Sequence, residues 1–316
     1  MMKITVLDRN AIGADTPLEG LKRFGDVEIY NSTSSLELHS RIKSTEILIL
    51  NKVKISRADL EICDKLKLIC IFATGYDNVD VRAAKERGVA VCNVPGYSTD
   101  SVALFTVANV LALCTHLREY NNFVVSGEYS SSGLPNRLVP VYHEIAGKTW
   151  GIIGLGNIGK AVARVAQALG ARVIANKRNT IPEYECVDID ILCRESDIIT
   201  VHCPLNDESR NLISRERIGM MKENVIIVNE ARGAVVDEYA VTEAIKNKKI
   251  GAYGSDVYTS EPFDSDHPFY EIKDNCNVLF TPHAAWGSYE ARVRCINIIC
   301  RNIESFLGGG KENRVN

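Results

Sequence analysis

No apolar run in the sequence approaches the roughly 20 residues that a membrane-spanning helix requires, and no charge of one sign dominates. With 37 basic and 40 acidic residues, the formal net charge is -3, which is too small to predict a nucleic-acid or membrane partner. The first residues resemble neither a signal peptide nor a transit peptide. We therefore expect a cytoplasmic protein.

The sequence also lacks any C-x-x-C pair, although it contains ten cysteines. These cysteines are scattered along the chain and stand mostly inside apolar runs. Such a pattern indicates reduced thiols in the core rather than a disulfide framework. We predict no metal site.

Short apolar, β-branched runs alternate with longer amphipathic segments along the whole chain. Its 316 residues suffice for about two domains. Strand-like runs extend from "KITVL" to "VAVCN" in the first third, and from "KTWGIIG" to "NVLFTP" in the second series. The alternation predicts the α/β class, with parallel sheets and helical crossovers.

Two segments between these series have a different character. The run "TDSVALFTVANVLALCTHLREY", residues 99–120, is apolar around most of its circumference and predicts one long, largely buried helix. Residues 121–140 are rich in Ser, Gly, Asn and Pro and predict irregular structure or a surface arm.

A glycine fingerprint, "GLGNIG", follows the first strand of the second series. Gly154 permits a tight turn, Gly156 lets the backbone approach a pyrophosphate, and Gly159 lets the next helix pack on the strand. The free N–H groups of that helix favour an anion. The pattern predicts a dinucleotide site, and the alternative is a tight turn without a ligand.

The acidic residue that normally follows such a fingerprint by about 20 residues is missing. Asn176, Lys177 and Arg178 stand there instead. Lys177 and Arg178 are suited to pair with a 2′-phosphate, so we predict NADP(H) in preference to NAD(H). The alternative is that both side chains are solvated surface residues.

Three further motifs each place polar residues just after a strand. They contribute Arg232 in "VNEARGAVVDE", Asp256 and Glu261 in "GSDVYTSEP", and His283 in "LFTPHAAWGS". Ligands of doubly wound sheets bind beyond the carboxyl ends of the strands. We therefore expect these motifs to converge on one crevice.

Taken in order, the motifs resemble those of the D-isomer specific 2-hydroxyacid dehydrogenase family, nearest to its glycerate dehydrogenase and hydroxypyruvate reductase branch. The resemblance extends from "ATGYDNVD" and "NVPGYSTDSVA" through "HCPLNDESRNLI" to "TPHAAWGSYEAR". It implies NAD(P)-dependent reduction of a small 2-keto acid, such as hydroxypyruvate or glyoxylate, to D-glycerate or glycolate. Sibling specificities, such as D-lactate or a branched-chain acid, and a dinucleotide-sensing, corepressor-like binding protein remain alternatives.

By this resemblance Arg232, Glu261 and His283 are the catalytic residues. His283 would donate the proton that the new alkoxide needs. Glu261 would hold the other ring nitrogen and favour the imidazolium form, while Arg232 would bind the substrate carboxylate and polarise the keto oxygen.

The residue patterns and the resemblance together assign binding residues. The predicted cofactor-binding residues are Thr99, Val102, Gly154, Gly156, Asn157, Ile158, Gly159, Lys177, Arg178, His202, Cys203, Pro204, Ala231 and Asp256. The predicted substrate-binding residues are Lys52, Thr74, Gly75 and Arg232.

Several of these residues also have plainer interpretations. His202 is a candidate for a packed residue at a strand end, and Cys203 is interpreted as a buried thiol rather than a nucleophile. Asp256 is a candidate cap for local backbone. Lys52 is interpreted first as an exposed lysine, and His267 is expected on an exposed loop.

The family's architecture implies a flavodoxin-like substrate domain, residues 1–98 with 285–316, and a Rossmann cofactor domain, residues 99–284. It also implies a homodimer through the long helix and the 121–140 arm. Two residues depart from the family pattern, Leu104 and Glu230. If Glu230 pointed into the site, it would compete for Arg232 or repel an acidic substrate.

Overall fold

Short strands alternate with helices in the computed structural model, which describes residues 2–179 and 181–316. The strands are β1 Met2–Val6, β2 Gly25–Ile29, β3 Ile47–Leu50, β4 Leu68–Ile71, β5 Ala90–Cys92, β6 Thr149–Ile153, β7 Arg172–Asn176, β8 Glu185–Cys186, β9 Ile198–Val201, β10 Ile226–Asn229, β11 Ala252–Ser255 and β12 Val278–Phe280. The α-helices are α1 Ser35–Ile42, α2 Arg57–Glu61, α3 Val81–Glu86, α4 Thr99–Cys114, α5 Leu117–Val125, α6 Glu128–Ser132, α7 Asn157–Ala168, α8 Ile189–Glu195, α9 Arg215–Met220, α10 Glu238–Lys246 and α11 Tyr289–Leu307. The 3₁₀ helices are Arg9–Ala11, Glu19–Phe24, Gly233–Val235 and Pro268–Ile272.

The chain divides into two units. The first comprises Met1–Ser98 with Gly287–Asn316, and the second comprises Thr99–Trp286.

The first unit is built on a parallel sheet with the strand order β2-β1-β3-β4-β5, which is the flavodoxin-like order. Strands β3 and β4 are buried along their whole length, as expected for a parallel sheet covered on both faces. Side chains of α1, α2 and α3 form the core on one face. Helix α11 packs against β4 and buries residues such as Ile299.

The second unit is built on a parallel sheet with the order β12-β11-β10-β9-β6-β7-β8. Counted from β6, this is the Rossmann order with one further strand at the β11 edge. Helices α4 and α7 cover the face that carries Trp150 and Val228, and α8, α9 and α10 cover the face that carries Ile199 and Tyr253. The predicted fold class, two doubly wound α/β domains, is confirmed.

The predicted single helix over residues 99–120 is wrong. Helix α4 ends at Cys114, α5 begins at Leu117, and the two are bent by 64°. His116 adopts a left-handed backbone conformation with φ 51° at the bend, which an α-helix cannot contain. Residues 121–140 are predicted to be irregular or a surface arm. The first half is helical, because α5 and α6 extend to Ser132, and the segment is exposed along nearly its whole length.

No single helix in the described part of the chain has the length and apolar composition to cross a membrane. Only the bent pair α4 and α5 reaches that length and composition together.

Candidate active site

The glycine fingerprint forms the turn between β6 and α7. Gly154 has φ 93°, and a side chain there would collide with the backbone at Cys203. A side chain on Gly159 would collide with the carbonyl of Gly154, so helix and strand pack closely. Gly156 is the N-cap of α7, makes no side-chain cap and has open space where a side chain would stand. Asn157 and Ile158 form the first turn, whose N–H groups face outward from the helix start.

The residues after β7 lie beside this turn. The Lys177 ammonium donates to the backbone carbonyl of Leu155 (3.3 Å), inside the glycine turn. Arg178 is exposed and forms an ion pair with Glu208, which is equally exposed. The structure therefore places Lys177 against the turn and Arg178 at the surface.

His202 and Cys203 follow β9. Both ring nitrogens of His202 are buried and have no hydrogen-bond partner among the described residues, and burial lowers the pKa of this histidine to about 3. Burial also raises the pKa of the Cys203 thiol to about 11, which supports the interpretation as a thiol rather than a nucleophile. Pro204 continues this segment, and its carbonyl accepts from Ser209 Oγ.

Arg232 lies on a short loop after β10, and the side chain of Asn229 holds the backbone of this loop. Asn229 accepts from the Ala231 N–H through Oδ1 (3.1 Å) and donates through Nδ2 to the Arg232 carbonyl (3.0 Å). The guanidinium is exposed and donates to the Ala231 carbonyl (2.8 Å). Its donors are thus presented at the surface at the carboxyl end of β10.

Glu261 and His283 come from the loops after β11 and β12 and form a pair. Glu261 Oε2 lies 2.6 Å from His283 Nδ1, and the two side chains are 30% and 26% exposed. The other Glu261 oxygen accepts from the Tyr258 N–H (3.1 Å). His283 has φ 53°, a backbone conformation that is unusual for a side chain of this size. The pairing leaves Nε2 as the ring nitrogen available for proton transfer.

Asp256 holds the segment that carries His283. One carboxylate oxygen accepts from the Thr281 hydroxyl (2.7 Å) and the Ala284 N–H (2.8 Å), and the other accepts from the Ala285 N–H (2.8 Å). Asp256 is almost completely buried. The plainer interpretation of Asp256 as a backbone cap therefore describes its contacts in the structure.

Glu238 and His267 lie beneath the Glu261 loop, and sequence reasoning missed them as a pair. The prediction that His267 lies on an exposed loop is wrong: it is buried, and its Nε2 lies 2.9 Å from Glu238 Oε2. The Phe269 N–H donates to its Nδ1 (3.2 Å). Glu238 also accepts from the backbone N–H (3.0 Å) and the hydroxyl of Thr259. This buried cluster fixes the loop that carries Glu261.

The start of α4 contributes the remaining residues of the second unit. Thr99 begins the helix, Val102 is buried, and the Ser101 hydroxyl donates to the Ala285 carbonyl (2.6 Å). Helix α4 is therefore tied to the segment after His283. Leu104, one of the two departures, is 70% exposed.

The amino-acid sequence matches a family model described as "D-isomer specific 2-hydroxyacid dehydrogenase, NAD binding domain" over residues 107–285. The chain belongs to this family. It is 37% identical to a hydroxypyruvate reductase of Blautia hydrogenotrophica, with 100% of both chains covered, and 35% identical to a glycerate dehydrogenase of Methylorubrum extorquens, with 99% and 98% covered. Its structure is similar to that of an acyclic imino acid reductase in complex with NADPH and D-Arg, with a TM-score of 0.88, 31% identity and full coverage of both chains.

Glu230, the second departure from the D-2-hydroxyacid dehydrogenase pattern, does not pair with Arg232. Glu230 is 8% exposed and its Oε1 accepts from Asn109 Nδ2 of α4 (2.6 Å). Its Oε2 is buried without a partner among the described residues. Burial, and secondly the charge of Asp256, raise the pKa of Glu230 to about 8. The concern that Glu230 competes for Arg232 is therefore not supported by its contacts.

The predicted substrate-binding residues Lys52, Thr74 and Gly75 belong to the first unit of this dehydrogenase. The Lys52 side chain is exposed, and its N–H donates to Asp8 (2.6 Å). Asp8 is buried, and it accepts from three consecutive backbone N–H groups that begin at Asn51. Its pKa is raised because burial outweighs these bonds. Sequence reasoning missed Asp8 as the residue that holds the Lys52 loop.

Thr74 and Gly75 follow β4. The Thr74 hydroxyl donates to the Val94 carbonyl (2.9 Å), and its own carbonyl accepts from Asn93 Nδ2 (2.8 Å). These bonds fix the segment, and Gly75 is its next residue.

The described residues contain no group of three or more His, Cys, Asp or Glu side chains suited to a metal ion.

Proposed function

We propose that the protein reduces a small 2-keto acid, hydroxypyruvate or glyoxylate, to the corresponding D-2-hydroxy acid. The observation that carries this proposal is the pair of Glu261 Oε2 and His283 Nδ1 at 2.6 Å. This pair follows β11 and β12, and Arg232 follows the adjacent strand β10 in the same parallel sheet. A proton donor, its orienting carboxylate and a carboxylate-binding cation are thus presented at one edge of the sheet.

The residues present fit a dinucleotide. The turn at Gly154 brings the backbone of β6 close to that of Cys203, Gly156 leaves open space, and α7 begins without a side-chain cap. These are the properties of a pyrophosphate cradle. A reduced nicotinamide supplies a hydride to the keto carbon, and we assign its binding to Val102, Ala231 and Asp256.

His283 has the proton-transfer role in this proposal. Because Glu261 holds Nδ1, the proton for the new hydroxyl comes from Nε2. Glu261 Oε2 lies 2.6 Å from Nδ1, so it orients the ring and directs Nε2 away from the pair.

Arg232 has the substrate-binding role. A guanidinium offers two parallel donors to a carboxylate, a geometry that a lysine does not provide. The Arg232 side chain is exposed, and its only bond recorded among the described residues goes to the carbonyl of Ala231. The substrate carboxylate and the keto oxygen are its expected partners, and Lys52, Thr74 and Gly75 stay predicted substrate-binding residues.

The test is a panel of 2-keto acids assayed with NADH and with NADPH, on the wild-type protein and on His283→Ala. We expect the wild type to prefer hydroxypyruvate or glyoxylate. We expect His283→Ala to lose on the order of 10²–10⁴-fold in kcat, while nucleotide binding by fluorescence titration persists. His39→Ala, at a partly exposed His39 paired with Asp59 in the first unit, is the matched control.

Two outcomes would overturn parts of this proposal. Retained turnover in His283→Ala would place the proton donor elsewhere. Nucleotide binding without reduction of any keto acid would favour a dinucleotide-sensing binding protein, and a best substrate such as pyruvate or a branched-chain keto acid would favour a sibling specificity.

We further propose that NADP(H) is preferred over NAD(H). Lys177 already bonds to the glycine turn at Leu155, and Arg178 is one residue further with its guanidinium at the surface. Both carry the charge that a 2′-phosphate requires, and no acid stands at Asn176 to accept the ribose hydroxyls. Arg178 would have to exchange Glu208 for the phosphate.

Glu208→Gln and Arg178→Ala test the cofactor preference in opposite directions. Removing the competing carboxylate should raise kcat/KM for NADPH and leave that for NADH unchanged. Removing the guanidinium should lower kcat/KM for NADPH by roughly tenfold or more. A wild-type protein that prefers NADH would refute the preference.

We also propose a homodimer in the cytoplasm. Large apolar side chains are exposed along α5, α6 and the segment that follows. They are Leu117, Val124, Val125, Tyr129, Leu134, Leu138, Val139, Val141 and Tyr142. A patch of this kind is typical of a protein interface, and a monomeric mass in light scattering would count against it.

A further inference from the structure

Glu230 and Asp256 lie side by side at the carboxyl ends of β10 and β11. The last registered pair of these parallel strands is Asn229 with Ser255, and the two acids are the next residue on each strand. Asn229 is also registered with Val201 of β9, so His202 occupies the corresponding position on the other side. His202, Glu230 and Asp256 therefore each directly follow one of the adjacent strands β9, β10 and β11.

The two carboxyl groups have very different hydrogen bonds. Asp256 accepts from one hydroxyl and two backbone N–H groups, so both of its carboxylate oxygens have donors. Glu230 accepts from the Asn109 amide alone, and its second oxygen is buried without a partner among the described residues. Since two neighbouring buried carboxyls do not both ionise readily, Glu230 is the one that keeps a proton at neutral pH.

No charge in the surroundings compensates an ionised Glu230. Asn109, its contact on α4, is neutral. His202 stays neutral because burial lowers its pKa, and the residues beyond β11, Asp256 and Tyr258, are an acid and a phenol whose pKa is itself raised by burial. Arg232, two residues along the same loop, donates to the Ala231 carbonyl instead. Within the described residues, Glu230 is part of no ion pair.

The nicotinamide ring of the proposed cofactor, whose binding we assigned to Val102, Ala231 and Asp256, changes charge between its two redox forms. The oxidised nicotinamide ring carries a positive charge and the reduced ring carries none. We propose that Glu230 releases its proton when the oxidised nicotinamide binds and keeps it when the reduced form binds, so that pH sets the preference of the site between the two redox forms. This inference rests on the proposed function, because it needs the nicotinamide beside Asp256.

The test is the pH dependence of binding, measured without turnover. Dissociation constants for the oxidised and reduced forms of one cofactor are determined by calorimetry and fluorescence between pH 6 and pH 9. The affinity of the wild type for the oxidised form should rise by about tenfold for each pK unit by which the ring lowers the pKa of Glu230. Affinity for the reduced form should change by less than about twofold over the same range, because binding of the uncharged ring is not coupled to release of the Glu230 proton.

Glu230→Gln isolates the effect, because glutamine keeps the shape and the bond to Asn109 but has no proton to release. In this variant the difference in pH dependence between the two redox forms should shrink. The phosphates are the same in the oxidised and the reduced cofactor. Every ionisable group other than Glu230, His283 included, is present in both the wild type and Glu230→Gln, so these groups do not account for a difference between the two proteins. Glu223→Gln, at an exposed glutamate just before β10, is the control and should behave as the wild type.

Proton release gives a second readout. Calorimetry of the oxidised form in buffers of different ionisation enthalpy at pH 7.5 should show release of about half a proton for a shift of one pK unit. Glu230→Gln should release fewer protons than the wild type. If Glu230→Gln does not fold, Glu230→Thr takes its place in the measurement, with the same expected result.

An unchanged pH dependence in folded Glu230→Gln would overturn this inference, as would an equal dependence for both redox forms in the wild type. Absence of binding by either form would refute the proposed cofactor site instead. The two failures are therefore distinguishable.

Discussion

Hydrogen-bond donors distinguish two neighbouring buried carboxyl groups in the second unit. Glu230 and Asp256 are both carboxyls in the interior, but only Asp256 has several N–H and O–H donors. For Glu230 burial is the larger influence, and its pKa rises from 4.5 to about 8. Glu230 thus lowers the free energy of unfolding when it ionises, and it can exchange a proton near neutral pH.

Glu230 should make the stability of the protein fall as pH rises. Below pH 4.5 the carboxyl is protonated in both the folded and the unfolded chain. Between this value and about pH 8 only the unfolded chain releases the proton, so its free energy falls relative to the folded state. We expect Glu230→Gln to be more stable than the wild type at pH 8 by about 2–5 kcal/mol, and nearly equal at pH 4.5.

Urea unfolding of both proteins at a series of pH values measures this difference. Glu223→Gln again serves as the control, because an exposed glutamate gains little from neutralisation. A difference between wild type and Glu230→Gln that does not grow from pH 5 to pH 8 would contradict the assignment of the proton to Glu230.

At the scale of single residues, the sequence predicts which residue types form the site better than it predicts which partners their side chains contact. The glycines of the fingerprint and the pair of Glu261 with His283 stand in recognisable motifs, and the structure brings that pair together. Glu230 is close to Arg232 in sequence, which suggests that it competes with the substrate for the Arg232 guanidinium. Its partner is Asn109, 121 residues away, and no local pattern predicts a contact over that separation.

At the scale of elements, three loops at the ends of β10, β11 and β12 are connected through backbone as well as side chains. A side chain on Gly233 would collide with the backbone of Tyr258 and Thr259. The Tyr258 hydroxyl donates to the Thr281 carbonyl (2.8 Å), close to His283. The loop of Arg232 therefore packs directly on the loop of Glu261, which is bonded to the segment before His283.

Gly233→Ala should disturb the site without changing any of the side chains proposed to be catalytic. The added methyl group has no space, and we expect a loss of about 1–3 kcal/mol in the free energy of unfolding. A displacement of these loops by about 1 Å should reduce kcat/KM on the order of 100-fold. Steady-state kinetics and thermal unfolding measure the two effects.

Gly219→Ala is the matched control for this substitution. Gly219 lies in α9 with open space around it, and alanine is favoured over glycine in helices by about 1 kcal/mol. That variant should be equally active and slightly more stable. Full activity in Gly233→Ala would mean that the Arg232 loop can move away from the Glu261 loop without loss of function.

Elements were predictable where hydrophobic periodicity was local. The strands and α7 follow from alternation and helical spacing, whereas the break between α4 and α5 does not, because residues 99–120 read as one continuous apolar helix. The break depends on the backbone of His116, whose Nδ1 lies 2.8 Å from Glu119 Oε2. The burial of His267 likewise depends on Glu238, which belongs to a different element.

At the scale of the whole molecule, the first unit is assembled from both ends of the described chain. Helix α11 buries Ile299 against the first unit. Beyond the helix, the Val315 N–H donates to the Val91 carbonyl (2.9 Å), and Asn316 donates to the Val89 carbonyl (2.7 Å). Residues 287–316 thus complete the core and cover the β5 edge of the sheet.

Ile299→Ala should destabilise the first unit. Loss of a fully buried isoleucine side chain leaves a cavity, and we expect the free energy of unfolding to fall by about 2–5 kcal/mol. Asn297→Ala, at an exposed position two residues earlier on α11, should change it by less than about 0.5 kcal/mol. Equal effects of the two substitutions in denaturant unfolding would mean that α11 contributes little to this core.

This arrangement separates the order of synthesis from the order of folding. The ribosome produces residues 2–98 before the second unit, yet their core and sheet edge stay uncovered until residues 287–316 emerge. The second unit is one continuous stretch, Thr99–Trp286, and is made entirely within that interval. While the second unit is being completed, the nascent chain therefore holds a first sheet whose α11-covered face and β5 edge are still exposed. This is the period in which a chaperone would have most to protect.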